Sequence, residues 1–233
     1  MSVVYKNITE FVDVLNGCGV PYLILRNYEN LFDSGICVTG HEDIDILTSN
    51  GRLLASSVGA KVFIDKVKAV CNDGVHYYIV IGGKELDLDI RSVGDGYYCS
   101  EWQCDMLKRR IMVNGCYVMD KYDYLYSLIY HSILQKRYFS YEYRQRLKKM
   151  CDSLNIVLTD DSISGFIQLL EKYLREHNYC YTYPQDIFGP LKTGYIDKSL
   201  LQKNISLAFK HWQFDSKVRL LELLVKIKHF LIR

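Results

Sequence analysis

Several absences narrow what this chain can be. No apolar run reaches the roughly 20 residues that a bilayer-spanning helix needs, so an integral membrane helix is excluded. The opening MSVVYKNITEFVDVL has no apolar stretch behind a basic one, so no secretory leader is expected. The eight cysteines (Cys18, Cys37, Cys71, Cys99, Cys104, Cys116, Cys151 and Cys180) include no Cys-x-x-Cys pair, which leaves little basis for a zinc site. In a chain that is not exported, such thiols stay reduced and serve mostly as small buried hydrophobes, and the cytoplasm is the expected compartment. Internal repeats and low-complexity tracts are also missing. So is a charge excess: the formal net charge is +2, and no continuous basic stripe with aromatic stacking positions stands out, so nucleic acid is not an expected partner.

What is present fits a globular chain of 233 residues, long enough for a catalytic domain with a helical appendage. Residues 1–119 carry 11 Lys/Arg against 15 Asp/Glu, net −4, whereas residues 120–233 carry 18 against 12, net +6. The two stretches differ in periodicity as well. In the first, KNITEFVDVLNGC (6–18) spaces Ile8, Phe11, Val12 and Leu15 as a helix, with Asn7 as N-cap and Gly17 and Gly19 as stops. Pro21 opens the apolar strand YLILR, and 27–42 is loop-like. EDIDILTS alternates as a strand, 50–58 is a short helix, and VFIDKVKAV (62–70) fits strand or helix equally. HYYIVIGG and KELDLDIRSV form a hairpin around Gly82 and Gly83, and GDGYY (94–98) is a turn whose tyrosines fit aromatic packing and substrate contact equally. Helices are predicted at 101–110, 120–137, 140–154, 161–177 and 197–232, with YTYPQDIFGP (181–190) the clearest break. The reading is α+β, divided as a catalytic domain over 1–119 and a helical domain over 120–233.

The strands carry the chemistry. Asp43 and Asp45 share one face of their strand, and Asp87 and Asp89 share one face of theirs. A charge on a half-buried strand must be solvated, paired or bound to metal. One pair on a solvent-facing strand would be ordinary. Two pairs among apolar neighbours point instead to carboxylates converging on Mg2+ or Mn2+, hard cations that favour oxygen ligands and substrate phosphates. Asp-x-Asp also occurs in glycosyltransferases that hold a nucleotide-sugar through a metal, although only about 40 residues precede it here, short for a nucleotide-binding βαβ domain.

With HEDIDILTS as the first carboxylate strand and LDLDIRSV as the second, the chain resembles the DNA polymerase beta-like nucleotidyltransferase superfamily over about residues 5–95. YLILRNYENL, LDIRSVGDGYY, the following Trp and MLKRR, and DYLYSLIYHSILQK are similar, more narrowly, to nucleotidyltransferase-like proteins of bacterial surface-polysaccharide synthesis. The resemblance implies a small mixed sheet flanked by helices. It implies Asp43, Asp45 and Asp89 as catalytic metal ligands, with Asp87 as fallback. It implies transfer of a nucleotidyl or related phosphoryl group from a nucleotide or nucleotide-sugar donor to a small-molecule or glycan hydroxyl, a sugar or polyol for example. The superfamily usually cradles phosphate on Gly-Gly or Gly-Ser before the first Asp, whereas the chain here reads Leu25-Arg26-Asn27-Tyr28. Arg26 as a bidentate clamp, Asn27 as a donor, Asp87 and Arg91 are the expected substrate-binding residues. The missing glycine also admits a non-catalytic binding module of antitoxin type.

Other features have plainer readings. Trp102 and most of the 20 tyrosines are expected in the core and its rim. His131 fits a partly buried core histidine better than an acid–base group, and the Lys136–Lys149 basic run fits a solvated helix face. SKVRLLELLVKIKHFLIR suits a bundle helix closing the domain, with membrane-surface contact as the alternative.

Overall fold

The computed structural model describes residues 3–31, 43–62, 75–186 and 189–231. Cys37, Cys71 and all but the first residue of VFIDKVKAV lie outside them. The described residues form a mixed α+β structure. Its strands are β1 (Val4–Tyr5), β2 (Tyr22–Ile24), β3 (Asp43–Thr48), β4 (Lys61–Val62), β5 (His76–Ile81), β6 (Lys84–Ser92), β7 (Ile111–Val113) and β8 (Cys116–Val118). Its helices are α1 (Ile8–Gly17), α2 (Gly51–Ser57), α3 (Ser100–Arg109), α4 (Lys121–Ile129), α5 (Tyr141–Ser153), α6 (Ile163–Glu176) and α7 (Ile205–Leu231). The sheet runs β1-β5-β6-β3-β2-β8-β7, with β4 also on β5.

Local chemistry accounts for the elements. Asn7 and Asn50 cap α1 and α2, their side chains accepting from the Glu10 and Leu53 amides. Gly82 and Gly83, at φ +57° and +80°, give the β5–β6 hairpin the left-handed pair its two-residue turn needs. Asn114 and Gly115, at φ +51° and +85°, do the same between β7 and β8. That second hairpin was not expected, although Asn-Gly is its usual mark. The helix predicted at 120–137 also ends differently. After Ile129 the chain winds wider, into a π-helical turn over Tyr130–Gln135, and the Lys136 amide donates five residues back to the His131 carbonyl. A 3.6-residue periodicity cannot reveal an inserted residue. The helix predicted from 197 is interrupted as well: a 3-10 turn at Lys198–Leu200 precedes α7.

The sheet separates two cores. Tyr22, Ile24, Ile44, Ile46, Leu88 and Ile90 pack with Phe11, Val12, Leu15 and Leu54 of α1 and α2. Leu23, Leu25 and Leu47, on the opposite face, join Trp102, Leu125, Ile129, Leu147, Phe166 and Leu170 of the helical half. The sheet ends at Val118 and α4 begins at Lys121, yet this second cluster draws on both stretches of the chain. In α7, His211 is buried, but Trp212, Leu220, Leu224 and Ile227 are exposed, so among the described residues its second half does not show the bundle packing that the sequence suggested. Among the described residues, no helix is long and apolar enough to cross a membrane.

The helical half is pinned by Asp123, which is fully buried. It accepts hydrogen bonds from Trp102 Nε1 at 2.8 Å, Tyr173 OH at 2.9 Å, and Arg109 Nη2 and Nε at 2.8 and 3.0 Å. Four donors around one buried carboxylate offset its desolvation, and removing it would strand the buried Trp102 Nε1 and leave Arg109 with only Asp120, Asp105 and the tyrosine hydroxyls. Asp123→Ala is expected to cost about 3–5 kcal/mol in a urea unfolding titration. A loss under about 1 kcal/mol would put Asp123 among ordinary surface pairs instead.

Candidate active site

β3 and β6 pair in parallel, with Asp45 opposite Asp89 and Asp43 opposite Asp87. Residues opposite one another in a ladder project to the same side, so Asp43, Asp45 and Asp89 emerge on the face that also carries Leu47. One carboxylate oxygen from each of these three aspartates lies within 4.8 Å of the others. Adjacent oxygens around octahedral Mg2+ stand about 3 Å apart, so small side-chain rotations would close the set on a cation. An all-carboxylate donor set suits Mg2+ or Mn2+ rather than a thiophilic metal. Asp87 does not join them: it is exposed and lies outside the cleft lining.

The three carboxylates line a cleft of about 270 Å³ together with Arg26, Asn27, Arg91, His76, Tyr97 and His131. Arg26 follows the end of β2 and reaches Asp45 at 2.6 Å; both side chains are less than a tenth exposed. Burial disfavours the guanidinium charge, but Asp45 and then Tyr97 more than compensate and hold it firmly protonated. Its Nη1 has no hydrogen-bond partner among the described residues. Asn27 stands at φ +58°, the left-handed region that asparagine tolerates better than other side-chain-bearing residues. The turn that would otherwise call for glycine is thus made without one.

Arg91 is held from three sides. Its Nη1 lies 3.1 Å from Asp186, its Nη2 3.9 Å from Asp89, and its guanidinium 4.4 Å from the centre of the Tyr97 ring. Arg26 lies 5.8 Å from the same ring. Asp186 arrives on the 181–190 break, which packs against GDGYY: the Gln185 amide donates to Asp95 O, and Thr182 Oγ1 donates to Gly96 O. Gly96, at φ +75°, has no room for a side chain, since a Cβ would sit 2.4 Å from the Tyr183 carbonyl oxygen. GDGYY is therefore both a turn and the seat of this wall.

Burial, then the neighbouring Asp45 charge, push the Asp89 carboxyl up to about 6, against the opposing pull of Arg91 and His76. His76 is opposite Asp89 on β5, with 3.7 Å between Nε2 and Oδ1. His131 is buried in the π-helical turn, its Nδ1 3.2 Å from Tyr97 OH and 3.1 Å from Gln135 Oε1. Burial, Arg26 and Lys136 hold its pKa well below the usual histidine range, so it is neutral at pH 7.

His76, Gln135 and Asp186 are site residues that the sequence does not single out, and Tyr97 belongs to GDGYY, for which aromatic packing and substrate contact are equally open. His76 alone carried a local signal, an ionisable residue opening a strand beside the acidic one. No family model, curated protein or solved structure matches the chain.

Asp89 must be ionised to act as a ligand, and its elevated pKa places that change near pH 6. Mn2+ affinity, measured by calorimetry, is expected to be steady above about pH 7 and to fall toward tenfold per unit below about pH 6. An affinity unchanged between about pH 7 and pH 5 would remove Asp89 from the ligand set.

Proposed function

We propose that this chain is a metal-dependent nucleotidyltransferase of the DNA polymerase beta-like type, transferring a nucleotidyl or related phosphoryl group to a hydroxyl acceptor. The observation that carries the reading is the approach of Asp43, Asp45 and Asp89 from two parallel strands beside a buried Arg26 whose Nη1 has no hydrogen-bond partner among the described residues. An acidic cluster alone would say little. An acidic pole next to an under-used buried guanidinium suits a substrate that brings both a cation and phosphate oxygens.

In this reading Asp43, Asp45 and Asp89 hold Mg2+ or Mn2+, which when bound supplies charge stabilisation at the phosphoryl group and acidifies the acceptor hydroxyl. Arg26 pairs with donor phosphate oxygens in place of a glycine cradle. Arg91, fixed by Asp186 and Tyr97, keeps a second positive charge beside Asp89. Asp89 takes the acceptor's proton. The acceptor oxygen then bonds to phosphorus as the bond to the leaving phosphate or pyrophosphate breaks in line. A sugar or polyol acceptor in surface-polysaccharide assembly agrees with the narrower sequence resemblance.

The glycosyltransferase alternative is weaker. It requires a parallel nucleotide-binding βαβ unit ahead of Asp-x-Asp, whereas β2 runs antiparallel to β3. The non-catalytic module rested on the missing glycine, and Asn27 provides the left-handed backbone there.

Calorimetry with a panel of nucleoside triphosphates and nucleotide-sugars should show binding only in the presence of Mg2+ or Mn2+. With the best donor and a set of sugar and polyol acceptors, Asp43→Ala should abolish leaving-group release. Because Asp43 is exposed, its circular dichroism and melting curve should match the parent. Full turnover by this variant, or no metal-dependent binding of any donor, would sink the proposal.

A further inference from the structure

The last helix carries a surface that the cleft does not use. α7 has 27 residues, about 40 Å of helix. Its first turns are anchored to the body: His211 is buried, its Nε2 lying 2.6 Å from the Pro184 carbonyl oxygen, whereas Val218, two turns further on the same side, is exposed. Another side bears Ile205, Phe209, Trp212, Leu220 and Ile227, whose spacings of three, four, seven and eight place them on one stripe. They are 86, 54, 63, 57 and 45% exposed. Isolated exposed hydrophobics are unremarkable, but five along one helical stripe are not. The Phe209 and Trp212 rings stack with centroids 5.6 Å apart, which keeps a broad aromatic plate at the surface.

Charge indicates what covers this stripe. Residues 201–233 carry 7 Lys/Arg against 2 Asp/Glu, net +5, while residues 1–200 carry 22 against 25, net −3. Within α7 itself, residues 205–231, 5 Lys/Arg stand against 2 Asp/Glu, net +3, while the rest of the chain carries 24 against 25. Lys210 and Lys217 flank the stripe on one side and Arg219 on the other, all exposed. Pairing with a second copy through the stripe would bring Lys210, Lys217 and Arg219 of both copies together against one exposed acid each, Asp215, and leave most of that charge uncompensated. Negatively charged headgroups compensate it, and the acyl boundary takes the aromatic and aliphatic side chains. We infer that α7 lies along an anionic lipid surface, with Ile205, Phe209, Trp212, Leu220 and Ile227 facing the acyl boundary and Lys210, Lys217 and Arg219 at the headgroups. Long basic stems can follow the apolar stripe inward while their charges stay in the headgroup layer. The helix rests on the surface and does not cross it. This surface is separate from the cleft and holds whether or not the cleft transfers nucleotides.

Tryptophan emission of the full chain reads the contact directly. Of its two tryptophans, Trp102 is fully buried and Trp212 exposed, so a change on adding lipid reports Trp212. Vesicles of phosphatidylcholine containing phosphatidylglycerol should shift the emission to the blue and co-sediment the protein; pure phosphatidylcholine should do neither. Lys210→Glu with Lys217→Glu should lower partitioning about tenfold or more, and raised salt should act in the same direction. Phe209→Ser with Leu220→Ser should abolish the blue shift with an unchanged melting curve, since both side chains are exposed. The inference is overturned if anionic vesicles neither shift the emission nor carry the protein down. It is equally overturned if both lipid mixtures bind alike, or if the blue shift appears without lipid and follows protein concentration, which would mark self-association.

Discussion

The parallel pairing of β3 with β6 is the constraint from which the candidate site follows. It sets Asp45 directly opposite Asp89 and places Asp43 one pleat further along the same face. A one-residue slip in either strand would send that strand's acidic set to the other side of the sheet and bury Ile44, Ile46, Leu88 or Ile90 where polar groups belong. The apolar residues of the two strands therefore fix the position of the charged ones. The arrangement has an electrostatic cost. At an effective dielectric of about 20, like charges 4–5 Å apart repel by a few kcal/mol, and an opposite charge at contact repays about as much. Asp45 has that repayment from Arg26 at 2.6 Å, and Asp43 keeps its solvent. Asp89 has only the more distant Arg91 and His76, and there burial and repulsion prevail, which is why its carboxyl retains a proton to about pH 6.

The helical half turns this acidic edge into a cleft. Leu23, Leu25 and Leu47 on the same sheet face are covered by α4 and its neighbours, and the cover stops short of the aspartates. Where it stops, the helix widens into the π-helical turn that presents His131 and Gln135, and the 181–190 segment folds back over GDGYY to deliver Asp186. Tyr97 connects the two, its hydroxyl beside His131 and its ring beneath Arg91 and near Arg26. A π-turn gives up regular helical hydrogen bonding, and such turns are found disproportionately where side chains must be aimed. Here the irregularity coincides with the cleft.

The strands and their carboxylates were legible because each rests on a local rule: period-two alternation, Gly-Gly at a hairpin, an acid that recurs on one face. Arg26 was legible because it occupied a place where glycine was expected. The remaining cleft residues were less so: His76 and the GDGYY turn carry a local mark, but nothing local marks Gln135 or Asp186. Asp186 lies 95 residues from its partner Arg91, and His131 sits 34 residues from Tyr97 on a helix whose apolar neighbours make any histidine look like core. The short strands β1 and β4 were missed for a related reason: two-residue pairings along β5 leave no period to detect. For α7 the apolar spacing was visible, but amphipathic spacing is the same for a helix that closes a core and one that awaits a surface, and exposure alone separates them.

Replacing a glycine cradle with Arg26 and Asn27 changes what the proposed donor site can demand. Backbone amides at a helix start are fixed in place and neutral, so they bind phosphate without disturbing nearby acids. A guanidinium is charged, and in the free protein Arg26 already neutralises Asp45. A cation arriving between Asp43, Asp45 and Asp89 competes with Arg26 for the Asp45 oxygen and leaves more of the guanidinium for an anion. A phosphate arriving first draws Arg26 from Asp45 and leaves that carboxylate for a cation. Each ligand thus removes the other's competitor, and by linkage the coupling must be reciprocal. In the proposed reading, metal and phosphorylated donor should bind this cleft as a pair, because a single buried arginine stands between the two sites.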